Sequence, residues 1–176
     1  VHDRVHNHWP RHIRSAHPQL YATIAEGMRS VHPRAPELLE EMLTTMAWPL
    51  YAETYERVVA TGFNDPKLLE VLARHAPASV LFTGGGILPK AIFALDGLRY
   101  LHIHPGWLPA VRGADGLLWS LMTRGKPGAS CFYMEPGLDV GDVVARREFS
   151  DLRFELPEER PDDQTLYRAL FSYIDP

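Results

Sequence analysis

The stretch SVLFTGGGILPKAIFALDGLRYLHIHP, residues 79–105, decides the fold. It begins with a short apolar run, Ser79–Thr83, that ends in three glycines, as a buried strand leading into a loop does. A short helix is predicted over Pro89–Leu95 and a second strand over Arg99–His104. Strand, helix and strand at this spacing predict an α/β fold with a mostly parallel sheet. Ligands of such sheets bind beyond the carboxyl ends of the strands.

The flanking segments divide the chain into two parts. Residues 1–78 are predicted to be mostly helical, because apolar residues such as Tyr21, Ile24 and Met28 recur at helical spacing. Asp65 is predicted to cap a helix whose first residue is Pro66. Residues 79–176 form the predicted core, with further helices over 116–124 and 162–174 and strands over 129–134 and 143–149.

Composition excludes several classes of protein. Hydrophobic residues make up 45% of the chain and the net charge is −4. This charge argues against nucleic acid and polybasic membrane anchors, and no apolar run reaches the length of a spanning helix. Cys131 is the one cysteine. It is predicted to be a small buried residue of a strand, in a protein of the reducing cytoplasm.

Two histidines end the second predicted strand, in His102-Ile103-His104-Pro105. Side chains two residues apart on a strand point to the same face, and Pro105 ends the strand. The pattern therefore predicts two imidazoles at the carboxyl edge of the sheet. Histidine is suited to proton transfer near neutral pH, although a purely structural pair of histidines would give the same pattern.

A carboxylate flanked by glycines follows in GLDVGD, residues 137–142. Glycines on both sides of Asp139 predict a tight loop with close backbone approach. A carboxylate near an imidazole would hold it in one tautomer and favour its charged form. An ordinary turn would also fit this pattern.

The glycine run GGGILP, residues 84–89, fits neither of the common nucleotide-binding patterns. It lacks the Gly-Lys-Ser/Thr of a phosphate-binding loop and the spacing of a dinucleotide fingerprint. Exposed backbone followed by two apolar residues would instead suit a flat heterocycle held by main-chain hydrogen bonds.

Taken together, the stretches GGGILPKAIF, HIHPGWLPAVRGADG and GASCFYMEPGLDVGDVV resemble the folate-dependent formyltransferases in order and separation. This family includes glycinamide ribonucleotide, methionyl-tRNA and amino-sugar formyltransferases. The resemblance covers residues 79–171 and implies a Rossmann-like formyltransferase fold. It also implies an enzyme in which an amine attacks the formyl carbon of 10-formyltetrahydrofolate, with no metal expected.

The resemblance implies a role for particular residues. His104 matches the catalytic histidine, which stabilises the oxyanion and relays a proton, and Asp139 matches the aspartate that orients it. Arg112 and Gly113 belong to the loop after the histidine and would contact the substrate. The residues that would receive the pterin lie in two segments: Gly86, Ile87 and Leu88, and Met134, Glu135, Pro136, Gly137 and Leu138.

The chain departs from the family's pattern in two places. His102 stands where the family has asparagine, and a histidine donates a hydrogen bond only in the right tautomer or when charged. His102 is nevertheless retained as a third catalytic candidate. The family's first strand and its glycine loop are not recognisable, so either the beginning is missing from the sequence or helices replace it.

The leading prediction is an N-formyltransferase that acts on a small biosynthetic amine, such as an amino sugar or an amino-acid derivative. The alternatives are a 10-formyltetrahydrofolate hydrolase and, because of His102, a non-catalytic relative that binds a ligand or partner. The helical N-terminal third carries enough apolar surface for a homodimer. Histidines 2, 6, 8, 12 and 17 lack carboxylate partners, so a solvated tail is predicted there rather than a metal site.

Overall fold

The computed structural model describes residues 8–44, 50–83, 86–149, 152–153 and 155–173, without the side chains of residues 171–173. Predicted features on His2, His6, the Gly84-Gly85 pair and Ile174, the last residue of the final predicted helix, lie outside the described residues. The described helices are α1 (His8–Ala16), α2 (Pro18–Met28), α3 (Ala35–Met42), α4 (Pro66–Arg74), α5 (Lys90–Phe93), α6 (Gly116–Arg124) and α7 (Asp163–Tyr173). The strands are β1 (Ala78–Phe82), β2 (Leu98–His104), β3 (Gly128–Tyr133) and β4 (Val143–Glu148).

The chain packs into two compact units. The first consists of Val1–Met46, Asp115–Gly128 and Glu148–Pro176, and the second of Ala47–Ala114 and Ala129–Arg147. The domain boundary predicted near residue 78 is not tested by this packing. It stays a prediction.

An apolar core holds the first unit together, and we call it the helical cluster. Its buried members are Ile13, Leu20, Ile24, Ala25, Leu39 and Ala169, from α1, α2, α3 and α7. The prediction of a tail was wrong for residues 8–16, although His8 and His12 are solvated, as predicted. Residues 8–16 form α1, because Ile13 is fully buried in the cluster and offsets the polar composition of the segment.

The second unit contains the sheet, whose strands are ordered β1-β2-β3-β4. β1 and β2 are parallel, with Phe82 opposite His102, whereas β2 and β3 are antiparallel, with His104 opposite Ser130. The α/β class is confirmed, but the expectation of a mostly parallel sheet holds only for the first pair. The connection before β3 is long enough for either strand direction, so the sequence pattern did not fix that direction.

Local signals predicted the elements around the sheet well. Asp65 caps α4 as expected: its carboxylate accepts a hydrogen bond of 3.0 Å from Lys67 N, and Pro66 is the first helical residue. Backbone hydrogen bonds to the Asp65 carboxylate, from Thr61 first and then Lys67, lower its pKa. The bounds predicted for α6 are those observed.

Candidate active site

Residues of one face of β2 form the centre of the site. Tyr100, His102 and His104 alternate with residues of the other face, so the prediction that both imidazoles point the same way is confirmed. Tyr100 and His104 are buried, and His102 is half-buried. The His102 ring lies 5.6 Å from that of Phe82 on β1 and 5.8 Å from that of Phe132 on β3.

His104 is buried, with only 3% of its surface exposed. Its Nε2 lies 3.1 Å from the carbonyl oxygen of Val111. Because a carbonyl oxygen can only accept, Nε2 carries the proton of the neutral ring. Burial lowers the pKa of His104 from its ordinary value of 6.5, and this outweighs the Asp139 charge and the Val111 hydrogen bond, which raise it. The site therefore holds an oriented, neutral imidazole.

Asp139 faces the other nitrogen of that ring. Its Oδ2 lies 3.7 Å from His104 Nδ1 and accepts a hydrogen bond of 2.6 Å from Gly113 N. Asp139 has a φ of 48°, in the left-handed region that Asp tolerates better than most residues. Such backbone strain is characteristic of positions that aim a functional side chain.

Glycines shape the loop that carries Asp139, as the sequence predicted. Glu135 and Val140 pair across the loop, and Tyr133 N donates to Asp142 O at 2.9 Å. Gly141 has a φ of 135°, and a Cβ there would collide with the carbonyl oxygen of Tyr133. The predicted close backbone approach is thus confirmed at this position.

Two site residues were missed by the sequence analysis. Ser130 is fully buried, donates a 2.7 Å hydrogen bond to Gly106 O and accepts one of 3.0 Å from Leu108 N. It therefore fixes the turn that follows His104. Gly106 packs against the imidazole, since a Cβ there would lie 2.5 Å from His104 Nε2. The sequence signal that could have revealed Ser130 is its alternation with Phe132 on β3, which places a serine on the same face of the strand as a large apolar residue.

The residues predicted to receive a pterin fall into two groups. Leu88 is buried and Met134 is partly buried, and both pack in one apolar cluster with Tyr100, which we call the sheet cluster. Met134 is held there by a 2.7 Å hydrogen bond from its N–H to Tyr100 O. The structure therefore brings the two predicted segments together at this point. Phe82, which contacts His102, packs against the same cluster.

The second group lies at the surface. Ile87 is 68% exposed and Leu138 is 50% exposed. Gly86, with a φ of 97°, and Gly137, with a φ of 143°, flank them in the chain. Other predicted site residues with exposed side chains are Arg112, Glu135 and Pro136. Gly113, predicted to contact substrate, is the donor that holds Asp139.

Other features of the described residues lie outside this site. The first unit contains an open cavity of about 1000 Å³, and none of the predicted site residues lines it. Among the described residues, no group of three or more His, Cys, Asp or Glu side chains is arranged to hold a metal ion. No helix in the described part of the chain has the length and apolar character needed to cross a membrane.

Comparison with known proteins places these residues in a family. The family model described as Formyl transferase matches residues 41–155, a range that includes His102, His104 and Asp139. The chain belongs to the formyl transferase family. This membership confirms the predicted family and agrees with the α/β class of the described sheet.

The curated relatives of this family member are longer proteins. The methionyl-tRNA formyltransferase of Syntrophus aciditrophicus (strain SB) is 35% identical over 89 residues, which cover 49% of this chain and 28% of the relative. That of Caldanaerobacter subterraneus subsp. tengcongensis is 31% identical over 109 residues, covering 61% and 33% respectively. The chain thus spans between a quarter and about a third of the length of these two relatives.

Among solved structures, a sugar N-formyltransferase from Shewanella sp. FDAARGOS_354 matches with a TM-score of 0.42 and 18% identity. The match covers 77% of this chain and 52% of that one.

Proposed function

We propose that this chain is an N-formyltransferase that moves a formyl group from 10-formyltetrahydrofolate to the amine of a small metabolite. The observation that carries the proposal is the pair formed by His104 and Asp139 at 3.7 Å. The pair stands at the carboxyl end of β2, inside the range that the family model matches. A buried neutral imidazole beside a carboxylate is suited to moving protons during attack by an amine.

The two apolar segments around the site support a folate donor. Leu88 and Met134 supply buried apolar surface, whereas Ile87 and Leu138 leave apolar surface exposed. A flat pterin ring placed against them would cover the exposed part, as small-molecule sites do. The backbone beside Gly86 and Gly137 would supply hydrogen bonds to the polar edge of the ring.

We assign complementary tasks to the site residues. His104 would polarise the formyl oxygen, and Asp139 would stabilise positive charge on His104. Gly113 N keeps Asp139 in place for this task. His102 would be a third catalytic residue, beside the reacting atoms.

The charged residues of the loop that carries Asp139 are all acidic, which suits an acceptor with an amine. The segment from Met134 to Val144 carries Glu135, Asp139 and Asp142 and no lysine or arginine. A nucleic-acid acceptor would require basic surface for its phosphates, so an amino sugar or an amino-acid derivative fits better. The exposed Arg112 would bind an anionic group of that acceptor.

A single cysteine agrees with a cytoplasmic location.

Release of tetrahydrofolate tests the proposal. The full-length protein is incubated with 10-formyltetrahydrofolate and, in separate reactions, with amino sugars, amino-acid derivatives, methionyl-tRNA or no acceptor. We expect release only with a small amine, together with a formylated product detected by mass spectrometry. Release of tetrahydrofolate with methionyl-tRNA alone would mean that the acceptor is this tRNA and not a small amine. Release of formate without any acceptor would indicate a hydrolase.

Folate binding is measured in parallel, by titration of the protein with tetrahydrofolate. Binding without release in any of the reactions would contradict the transferase proposal and favour a non-catalytic relative. Absence of binding would contradict the assignment of the Leu88 and Met134 segments.

A further inference from the structure

We infer that His102 is a proton acceptor in formyl transfer, not a hydrogen-bond donor to the oxyanion. The inference deepens the proposed function and rests on it. Its basis is one hydrogen bond: His102 Nδ1 lies 2.8 Å from the carbonyl oxygen of Phe82. The carbonyl can only accept, so Nδ1 carries the proton of the neutral ring and Nε2 presents a lone pair.

The fold fixes this tautomer. Phe82 is the residue opposite His102 in the parallel pair β1–β2, and the adjacent Thr83 lies beyond the last residue of β1. The Phe82 carbonyl is therefore available to a side chain at the end of the neighbouring strand. An asparagine at position 102 would present a neutral NH₂ donor that does not titrate, whereas the bound imidazole offers an acceptor.

His104 cannot offer its Nε2 as a proton acceptor in this structure. Its Nε2 donates to Val111 O, and its Nδ1 faces the Asp139 carboxylate at 3.7 Å. By contrast, within the described part of the chain, the only hydrogen bond of the His102 ring is the one from Nδ1 to Phe82. Among the residues that the structure describes, none donates a hydrogen bond to the lone pair of His102 Nε2, whereas the lone pair of His104 Nδ1 faces a carboxylate.

The surroundings of His102 hold its ring in place between two aromatic side chains. The neighbouring strands contribute the rings of Phe82 and Phe132, which carry no charge. His104, two residues later on the same face of β2, is the titratable group with which His102 interacts among the described residues. Burial lowers the pKa of His104, and its electrostatic interaction with His102 lowers it further.

The proton steps of the reaction balance with this assignment. The lone pair of the amine nitrogen forms a bond to the formyl carbon, and the bond from that carbon to the folate nitrogen breaks. The amine loses one proton and the leaving nitrogen, which keeps the bonding pair, gains one. His102 Nε2 takes the first proton and delivers it to the leaving nitrogen, so the residue returns to its starting state.

Replacement of His102 by asparagine, the residue that the resembled family has at this position, tests the inference. We expect His102→Asn to lower kcat by about 10²–10⁴-fold, the usual contribution of general acid–base catalysis. The native rate should rise with pH as a histidine loses its proton, and the variant should lack this limb. In His102→Ala, added imidazole should restore part of the rate.

Two results would overturn the inference. One is a His102→Asn variant as fast as the native protein, or faster, with the same pH profile. The other is a ¹⁵N NMR spectrum of the native protein in which the neutral His102 ring carries its proton on Nε2. The NMR measurement does not depend on activity. Absence of transfer by the native protein would instead contradict the proposed function, so the two failures are distinguishable.

Discussion

The helical cluster of the first unit and the sheet end of the second unit bury different kinds of residue. The helical cluster of the first unit consists of apolar side chains, with Ile13 and Ile24 fully buried. The second unit buries His104 and Ser130 together with Phe132 at the end of its sheet. A buried polar group costs stability unless it is hydrogen-bonded, and here each of the two has a partner.

This difference indicates where the chain accommodates chemistry. A fold that needs only stability fills its core as the helical cluster does. The sheet end instead combines a buried imidazole, a carboxylate in the left-handed region and a glycine packed against the ring. Substitutions in the first unit should therefore affect stability, and those at the sheet end should affect transfer.

The largest expected effect is on transfer, at His104 and Asp139. His104→Ala and Asp139→Ala should each lower kcat/KM by about 10²–10⁴-fold, because they remove the oriented imidazole or the charge that supports it. Asp139→Asn is the matched control: it keeps an oxygen for Gly113 N but loses the charge. Circular dichroism verifies the fold of each variant. Near-native turnover in either alanine variant would refute the assigned roles.

In the helical cluster, Ile24→Ala should lower stability and leave the chemistry unchanged. Loss of this fully buried side chain is expected to reduce the free energy of unfolding by about 2–5 kcal/mol. Leu38, 44% exposed in the same unit, is the control, and Leu38→Ala should change stability much less. Urea unfolding measures both variants. A decrease in kcat of folded Ile24→Ala as large as that at His104 would invalidate the contrast between the units.

Ser130→Ala should have a smaller effect, which falls on both stability and formyl transfer. The substitution leaves Leu108 N and Gly106 O without their hydroxyl partner, at a cost of about 1–3 kcal/mol. Because these bonds fix the turn after His104, kcat should fall as well. Ser79→Ala, an exposed serine on β1, is the control. If Ser130→Ala has the same urea midpoint of unfolding as the native protein, the turn does not depend on this hydroxyl.

Local patterns were sufficient to predict most elements. The apolar run before the glycines predicted β1, and the alternation through His102 and His104 predicted the shared face of β2. Asp65 followed by Pro66 predicted the start of α4. Each of these depends on neighbours within a few residues, which the sequence displays directly.

Features set by distant partners were not predictable in this way. The tautomer of His102 depends on a carbonyl 20 positions earlier in the chain, and the role of Ser130 depends on the turn after β2. The antiparallel direction of β3 is equally non-local. For α1, tertiary burial of Ile13 prevailed over a polar local composition.

The smallest expected effect is a pH dependence of stability that arises at His104. Burial lowers the pKa of His104 in the folded chain, whereas the unfolded chain titrates near the ordinary 6.5. Below that pH the unfolded state binds a proton that the folded state does not, so the free energy of unfolding decreases as the pH falls. The decrease ends once the pH drops below the folded pKa.

Urea unfolding at about pH 7.5 and about pH 5.5, on either side of ordinary histidine titration, measures this change. His104→Gln removes the titrating group, so the native protein should lose more stability on acidification than the variant does. Equal losses would mean that Asp139 compensates the burial of the ring, because a nearby carboxylate favours the charged imidazole. His104 would then titrate in the folded chain as it does in the unfolded chain.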